Sequence, residues 1–201
     1  MKQTYLKIDF QHYWHVSAGV HRNKTLEALK DRDGFPYISD QQCHGILKDI
    51  CQQAEAFGRI PSGTTLKLFG HGSHLEQTPQ KQPKWIQLGA ARLASKTREA
   101  CKTQNTIARL YKTLPSNSQD EEGITKKGHL RFIETVIPVT LHSRIEQNAD
   151  ATCEQAEYKA AINELKKALV GRHRLGHDKN SGFGRCTLSL VKIAANGEVV
   201  A

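Results

Sequence analysis

Apolar residues alternate loosely from the start of the chain: Tyr5, Leu6, Ile8 and Phe10, then Tyr13, Trp14 and Val16. A period near two sends successive side chains to opposite faces, so the pattern predicts a long first strand over residues 4–19. Residues 20–33 are polar, charged and aperiodic, which reads as a loop. Gly34-Phe35-Pro36-Tyr37-Ile38 follows as an extended segment fixed by its proline. Ser39 or Asp40 then caps a helix whose inward positions, Cys43, Ile46, Leu47, Ile50, Cys51 and Ala54, recur at helical spacing. Gly58 ends that helix, and Pro61 confirms the stop.

The rest of the chain repeats the theme. Residues 65–72 form a short apolar turn, residues 74–84 a loop rich in Gln, Pro and Lys, and residues 85–94 a second strand through Ile86, Leu88, Ala90 and Leu93. Residues 97–131 are polar, basic at both ends and acidic at Asp120-Glu121-Glu122. Compact domains seldom hold a structureless loop of that length, so this stretch reads as a projecting hairpin. A strand resumes over residues 130–145, a second helix spans 154–170 with Ala161, Leu165, Ala168 and Leu169 inward, and a last strand covers 183–193. The order β, α, β, projection, β, α, β is the ferredoxin-like (RRM-like) split βαβ pattern, an α+β fold. Its four-stranded antiparallel sheet, covered by helices on one face, is a frequent platform for RNA. At 201 residues the chain fits one domain, residues 1–201.

Charge narrows the class of partner. Lys and Arg number 29 against 20 Asp and Glu, a net charge of +9. Residues 159–192 alone hold eight Lys/Arg and two Asp/Glu, a net of +6. No apolar run approaches membrane-spanning length, so the basic excess points to nucleic acid and away from a membrane. The opening MKQTYLKIDF lacks the apolar stretch of a signal peptide. The five cysteines form no CxxC and leave an odd count, as expected for free thiols in a reducing cytoplasm.

The most concentrated candidate chemistry lies in residues 172–190, RHRLGHDKNSGFGRCTLSL. Gly176, Gly182 and Gly184 stand among Arg172, Arg174, Lys179 and Arg185. Glycine lets backbone N–H groups approach a phosphate closely, and the cations supply charge. The plainer alternative is a tight turn entering an edge strand. The loop leads into a strand and lies near the C-terminus, unlike a Rossmann or P-loop site. His12, His15 and His21 cluster near the end of the first strand, where a histidine can serve as general base against a ribose 2′-OH. Packing or RNA contact is the competing role. His71, His74, Cys43 and Cys101 have no zinc-site spacing, and no metal is assigned. Trp14 reads as core, and Tyr111 as a residue able to stack on a base.

Five ordered segments together resemble the RAMP superfamily of CRISPR proteins, most nearly the repeated backbone subunit of type III effector complexes. They are His15-Val16-Ser17-Ala18-Gly19, Gly34-Phe35-Pro36-Tyr37-Ile38 with the helix carrying Gly45, Phe69-Gly70 with the strand at 88–93, Asn105-Thr106-Ile107-Ala108-Arg109, and the loop from Gly176 to Gly184. The resemblance implies a CRISPR-RNA-binding subunit of a cytoplasmic ribonucleoprotein in antiviral defence. Its implied partners are guide RNA, a complementary target and other effector subunits, including copies of itself. It implies a thumb hairpin over residues 102–129 and a terminal glycine-rich loop. With the residues read directly above, the candidate RNA-binding set is His21, His44, Lys48, Arg109, Tyr111, Arg172, Arg174, Gly176, Lys179, Gly182, Gly184 and Arg185. His44 and Lys48 stand where the family has lysine and arginine. The family's target-cleaving aspartate falls on Thr25, so little or no cleavage is expected and no cofactor is implied. Two alternatives stay open. One is a Mg²⁺-dependent endoribonuclease using Glu27 or Asp31. The other is a guide-processing ribonuclease using His15 or His21.

Overall fold

The computed structural model describes residues 3–22, 25–70, 84–116, 131–151, 153–176, 182–193 and 199–200. Its main sheet joins β1 (Gln3–Phe10), β4 (Ile86–Leu88), β7 (Thr140–Gln147), β9 (Arg185–Ile193) and β10 (Val199–Val200) in the order β10-β9-β1-β7-β4. β8 (Arg172–Arg174) adds to this sheet by pairing with β9. β1 runs antiparallel to both neighbours, with Ile8 opposite Leu141 on one side and Leu188 on the other. Between β1 and β4 come α1 (Asp40–Ala56) and the short α2 (Thr64–Phe69); between β7 and β9 comes α4 (Gln155–Ala168). The antiparallel arrangement β9-β1-β7-β4 with these crossovers is the expected ferredoxin-like core.

Local chemistry explains the two long helices. Ser39 caps α1 in a capping box: its Oγ accepts from the Gln42 N–H, and the Gln42 side chain accepts from the Ser39 N–H. Cys43, Leu47, Ile50, Cys51 and Ala54 are its buried stripe, and Ala161, Leu165 and Ala168 are that of α4. On β1 the buried positions are Leu6, Ile8 and Phe10; Lys7 and Asp9 point to the other face. Burying each such Leu or Ile contributes roughly 1.5–3 kcal/mol. Gly63 supplies the left-handed conformation that starts α2, so the expected apolar turn at 65–72 is helical as far as Phe69.

A second, four-stranded sheet was not expected. It joins β2 (Ser17–Arg22), β3 (Thr25–Ala28), β6 (Arg131–Val136) and β5 (Tyr111–Ser116) in the order β2-β3-β6-β5. The long first strand therefore breaks after Phe10, and the expected loop over 20–33 contains β3. Trp14, His15 and Val16 are buried consecutively, which an alternating strand cannot achieve; here the chain crosses the core. The expected strand over 130–145 also divides, because Pro138, with no N–H to donate, separates β6 from β7. Residues 97–131 hold α3 (Ser95–Thr103), a 3₁₀ turn (Ile107–Leu110) and β5, which pairs antiparallel with β6. The outer part of the expected thumb, residues 117–130, lies outside the described residues. One contiguous cluster of buried side chains draws on both sheets, from Leu6 and Ile8 to Trp14, Ala28 and Val136.

Candidate nucleic-acid interface

Helices cover one face of the main sheet and leave the other to polar side chains. Register assembles that open face. Arg174 lies opposite Arg185, and Arg172 opposite Thr187. Thr187 faces Asp9 and Ser189 faces Lys7 across β9–β1; Lys7 faces His142 and Tyr5 faces Arg144 across β1–β7. Directly opposed residues share a face, so Lys7, Arg144, Arg172, Arg174 and Arg185 stand together against Asp9 and Glu146. Lys7 lies 3.9 Å from Asp9, and Arg144 2.6 Å from Glu146. His142 is held below its usual pKa by burial first and by Lys7 second, against an opposing pull from Asp9. Tyr5, Lys7, His142 and Arg144 were missed in the sequence. Their signal is the polar half of each alternating strand, which only strand order turns into a surface.

The glycines act differently from the phosphate-approach expectation. A Cβ on Gly184 would overlap the Leu175 carbonyl oxygen, and one on Gly176 would overlap that of His15. Gly184 also donates its N–H to the Tyr13 carbonyl at 2.8 Å and accepts from the Leu175 N–H at 2.9 Å. Their need for glycine is thus close backbone packing inside the protein. Gly182 has φ +92° and open space around its Cβ position, so its requirement is conformational alone. Lys179 lies outside the described residues.

The α1 candidates lie at the opposite edge of the sheet. His44, with Asp40, Gln41, Lys84, Gln87 and Leu88, lines a cavity of about 260 Å³ beside β4. The His44 ring meets Phe69 edge-on at 5.3 Å. Burial, then Lys84 and Lys48, lower its pKa, so it is neutral at pH 7 and brings no positive charge. Lys48 donates to the Gly70 carbonyl at 3.5 Å. β4 is three strands from β9, roughly 14 Å at the usual strand spacing, so these residues and the arginine ribbon are separate patches.

Arg109 is exposed on the 3₁₀ turn. Tyr111 is committed elsewhere: its hydroxyl donates to the Gly34 carbonyl at 2.7 Å, and Lys30 Nζ sits 4.4 Å over its ring. One face of the ring is therefore covered by Lys30, and any stacking partner is restricted to the other. Burial, then Glu134 and Asp31, push its ionisation far above neutrality. His21 pairs with Leu26 across β2–β3; its side chain lies outside the described residues.

The candidate acids separate clearly. Thr25 sits within β3, opposite Arg22 on one side and Phe132 on the other. Glu27 follows two residues later, half-buried on the same strand. Asp31 is occupied. Its Oδ1 accepts from the Asp33 and Phe35 N–H groups at 3.0 Å; its Oδ2 accepts from Arg98 at 2.6 Å and Arg92 at 2.9 Å. Burial alone would raise its pKa, but the Arg98 hydrogen bond, the two backbone N–H groups and the Arg98 charge bring it below the usual value. Both oxygens of Asp31 are thus engaged, which weighs against it as the general base or metal ligand of that alternative. Among the described residues no three His, Cys, Asp or Glu side chains converge as a metal site. His15 is 1% exposed, its Nδ1 2.7 Å from the Glu134 carbonyl oxygen, so it is a packing residue and not an accessible base. His71 and His74 lie outside the described residues. No described helix is long and apolar enough to cross a membrane.

No protein-family model and no curated protein sequence matches the chain. Solved structures do. A chain of the type III-B Cmr-beta complex bound to cognate target RNA superposes with a TM-score of 0.69 at 11% identity, covering 94% of this chain and 97% of that one. Oligomeric Cmr4 from Pyrococcus furiosus gives 0.57 at 12% identity, covering 96% and 99%. A chain of a type IV-B CRISPR complex gives 0.54 at 12% identity, covering 99% and 93%. The chain thus shares the fold of Cmr4, at a sequence identity that establishes fold alone.

Proposed function

We propose that this chain is an RNA-binding backbone subunit of an RNA-guided CRISPR effector. It positions guide and target RNA and has little or no cleavage activity of its own. The observation that carries this reading is the open sheet face, where five Lys and Arg side chains outnumber two carboxylates. Phosphate contacts of this kind supply affinity without reading sequence. The fold likeness supports it: one similar chain belongs to a complex bound to target RNA, and another is an oligomeric Cmr4. The partners are a guide RNA, its complementary target, and copies of this or related subunits. The antiparallel β5–β6 pair is the base of a thumb over residues 102–129, and residues 1–201 act as one RAMP unit.

The test is fluorescence anisotropy of single-stranded RNA against salt. Lys7→Ala and Arg185→Ala should each flatten the salt dependence by about 0.7 of a unit and weaken all sequences alike. Binding that is absent in the wild type, or unchanged in both variants, would refute the reading. A second reading, target cleavage through Glu27, draws on the placement of Glu27 two residues from Thr25, on the same side of β3.

A further inference from the structure

One polar cavity is used by none of the chemistry above. It measures about 480 Å³ and lies between the turn after β3 and the stretch leading into α3. Its charged lining consists of Lys30, Arg32, Arg92 and Arg98 with Asp31 and Asp33: four cations against two carboxylates. Arg98 is fully engaged, bonding Asp31 at 2.6 Å and Asp33 at 2.9 Å with its guanidinium 4.3 Å from the Phe35 ring centre. Lys102 also bonds Asp33, at 2.9 Å. The carboxylates are thereby neutralised from beneath.

Arg92 is placed differently. One of its nitrogens bonds Asp31, and its guanidinium stacks on Tyr37 at 5.0 Å, yet its side chain remains 47% exposed. The fork is held in orientation while most of its N–H donors stay open among the described residues, the form in which arginine binds phosphate best. Arg32 is exposed and lines the same cavity without an ion pair of its own among the described residues. The position of Arg92 links the cavity to the open sheet face. Arg92 and His142 form an antiparallel bridge, and His142 lies opposite Lys7 on β1. Lys7, His142 and Arg92 therefore form one row across the face, ending at the cavity.

We propose that this cavity is a phosphate-binding site, with Arg92 as the oriented fork and Arg32 as the second cation. The inference deepens the RNA-binding reading and rests on it for the strand that would deliver a phosphodiester along the Lys7–His142–Arg92 row. A mononucleotide would present the same chemistry. Two measurements on the full chain separate these sources. The first is anisotropy of a labelled single-stranded RNA against salt, for wild type, Arg32→Gln, Arg92→Gln and Lys96→Gln. Lys96 is an exposed cation on α3 outside the cavity and controls for net charge. The second is the melting temperature with adenosine monophosphate or inorganic phosphate.

A strand phosphate predicts that Arg32→Gln and Arg92→Gln each lower the salt slope by about 0.7 of a unit, with Lys96→Gln unchanged. A mononucleotide predicts unchanged slopes and a rise in wild-type melting temperature that Arg32→Gln abolishes. Arg92→Gln also releases a bond to Asp31, whereas Arg32→Gln breaks no ion pair among the described residues, so a folding defect in the first leaves the second decisive. If the wild type binds RNA with its full slope and neither effect is seen, or Lys96→Gln falls as much as Arg32→Gln, the site is overturned while the RNA-binding reading stands. Absence of any wild-type RNA binding would instead sink that reading.

Discussion

Gly184 and Gly182 lie two residues apart with positive φ, yet their surroundings differ completely. A methyl on Gly184 would meet the Leu175 backbone, which is itself bonded to Gly184 and cannot yield. Gly184→Ala should therefore combine backbone strain with overpacking and cost about 2–5 kcal/mol. Gly182→Ala should cost only the conformational penalty, about 1–2 kcal/mol. Denaturant unfolding of the two variants checks the ordering. Asp31 gives a second residue-scale test. Its pKa is lowered on folding, so its contribution is present above the ordinary aspartate value near 4 and is lost as pH falls through the folded value. The wild type should lose stability on acidification below about pH 4. Asp31→Asn should be less stable at pH 7, by about 1.5–3 kcal/mol for lost charge-assisted bonds, and should show a shallower acid limb. An acid limb identical to the wild type would refute this role.

Among elements, α3 is the unusual one. It spans nine residues and fully buries none of them; of its apolar side chains Cys101 alone packs, partly buried, against the core. Arg98 and Lys102 tie it to Asp31 and Asp33, and Arg98 lies over Phe35. Arg98→Ala should therefore release α3 while leaving α1, with five buried positions, in place. Hydrogen exchange should quicken selectively at residues 99–103, by about tenfold for each 1.4 kcal/mol lost locally. Uniform loss of protection across both helices would mean that Arg98 supports the core as a whole.

For the whole molecule the open question is chemistry. In-line attack on a phosphodiester needs an activated oxygen nucleophile and a stabilised leaving oxygen. Thr25 offers no carboxylate for either task, and Asp31 has none of its oxygens to spare. A cleavage assay on the assembled complex, with Mg²⁺ and complementary RNA, should show little cutting by the wild type. Thr25→Asp should gain activity. Regular cutting by the wild type that disappears in Glu27→Ala would instead favour the second reading.

Periodicity made α1, α4, β1 and β9 legible, because each has one buried stripe, and α1 adds a capping box that acts within a few residues. The ordered motifs pointed to the fold that the solved structures share. The sequence did not disclose the second sheet. β3 has only Leu26, Glu27 and Ala28 beyond Thr25, too little for a pattern, and becomes a strand because β2 and β6 flank it. Sheet membership changes at residues 11–16 and at Pro138, where apolar residues continue but the hydrogen-bond partners change, from Arg185 at Gln11 to Val136 at Trp14. Long-range contact also decided the roles of single residues. Tyr111, Asp31 and Gly184 have the composition of a binding site, but the Gly34 carbonyl, the Arg92 and Arg98 guanidinium groups, and the Leu175 N–H with the Tyr13 carbonyl engage them. Local sequence fixes which face of an element is apolar; only the packed chain determines which polar groups are satisfied internally and which remain available to a ligand.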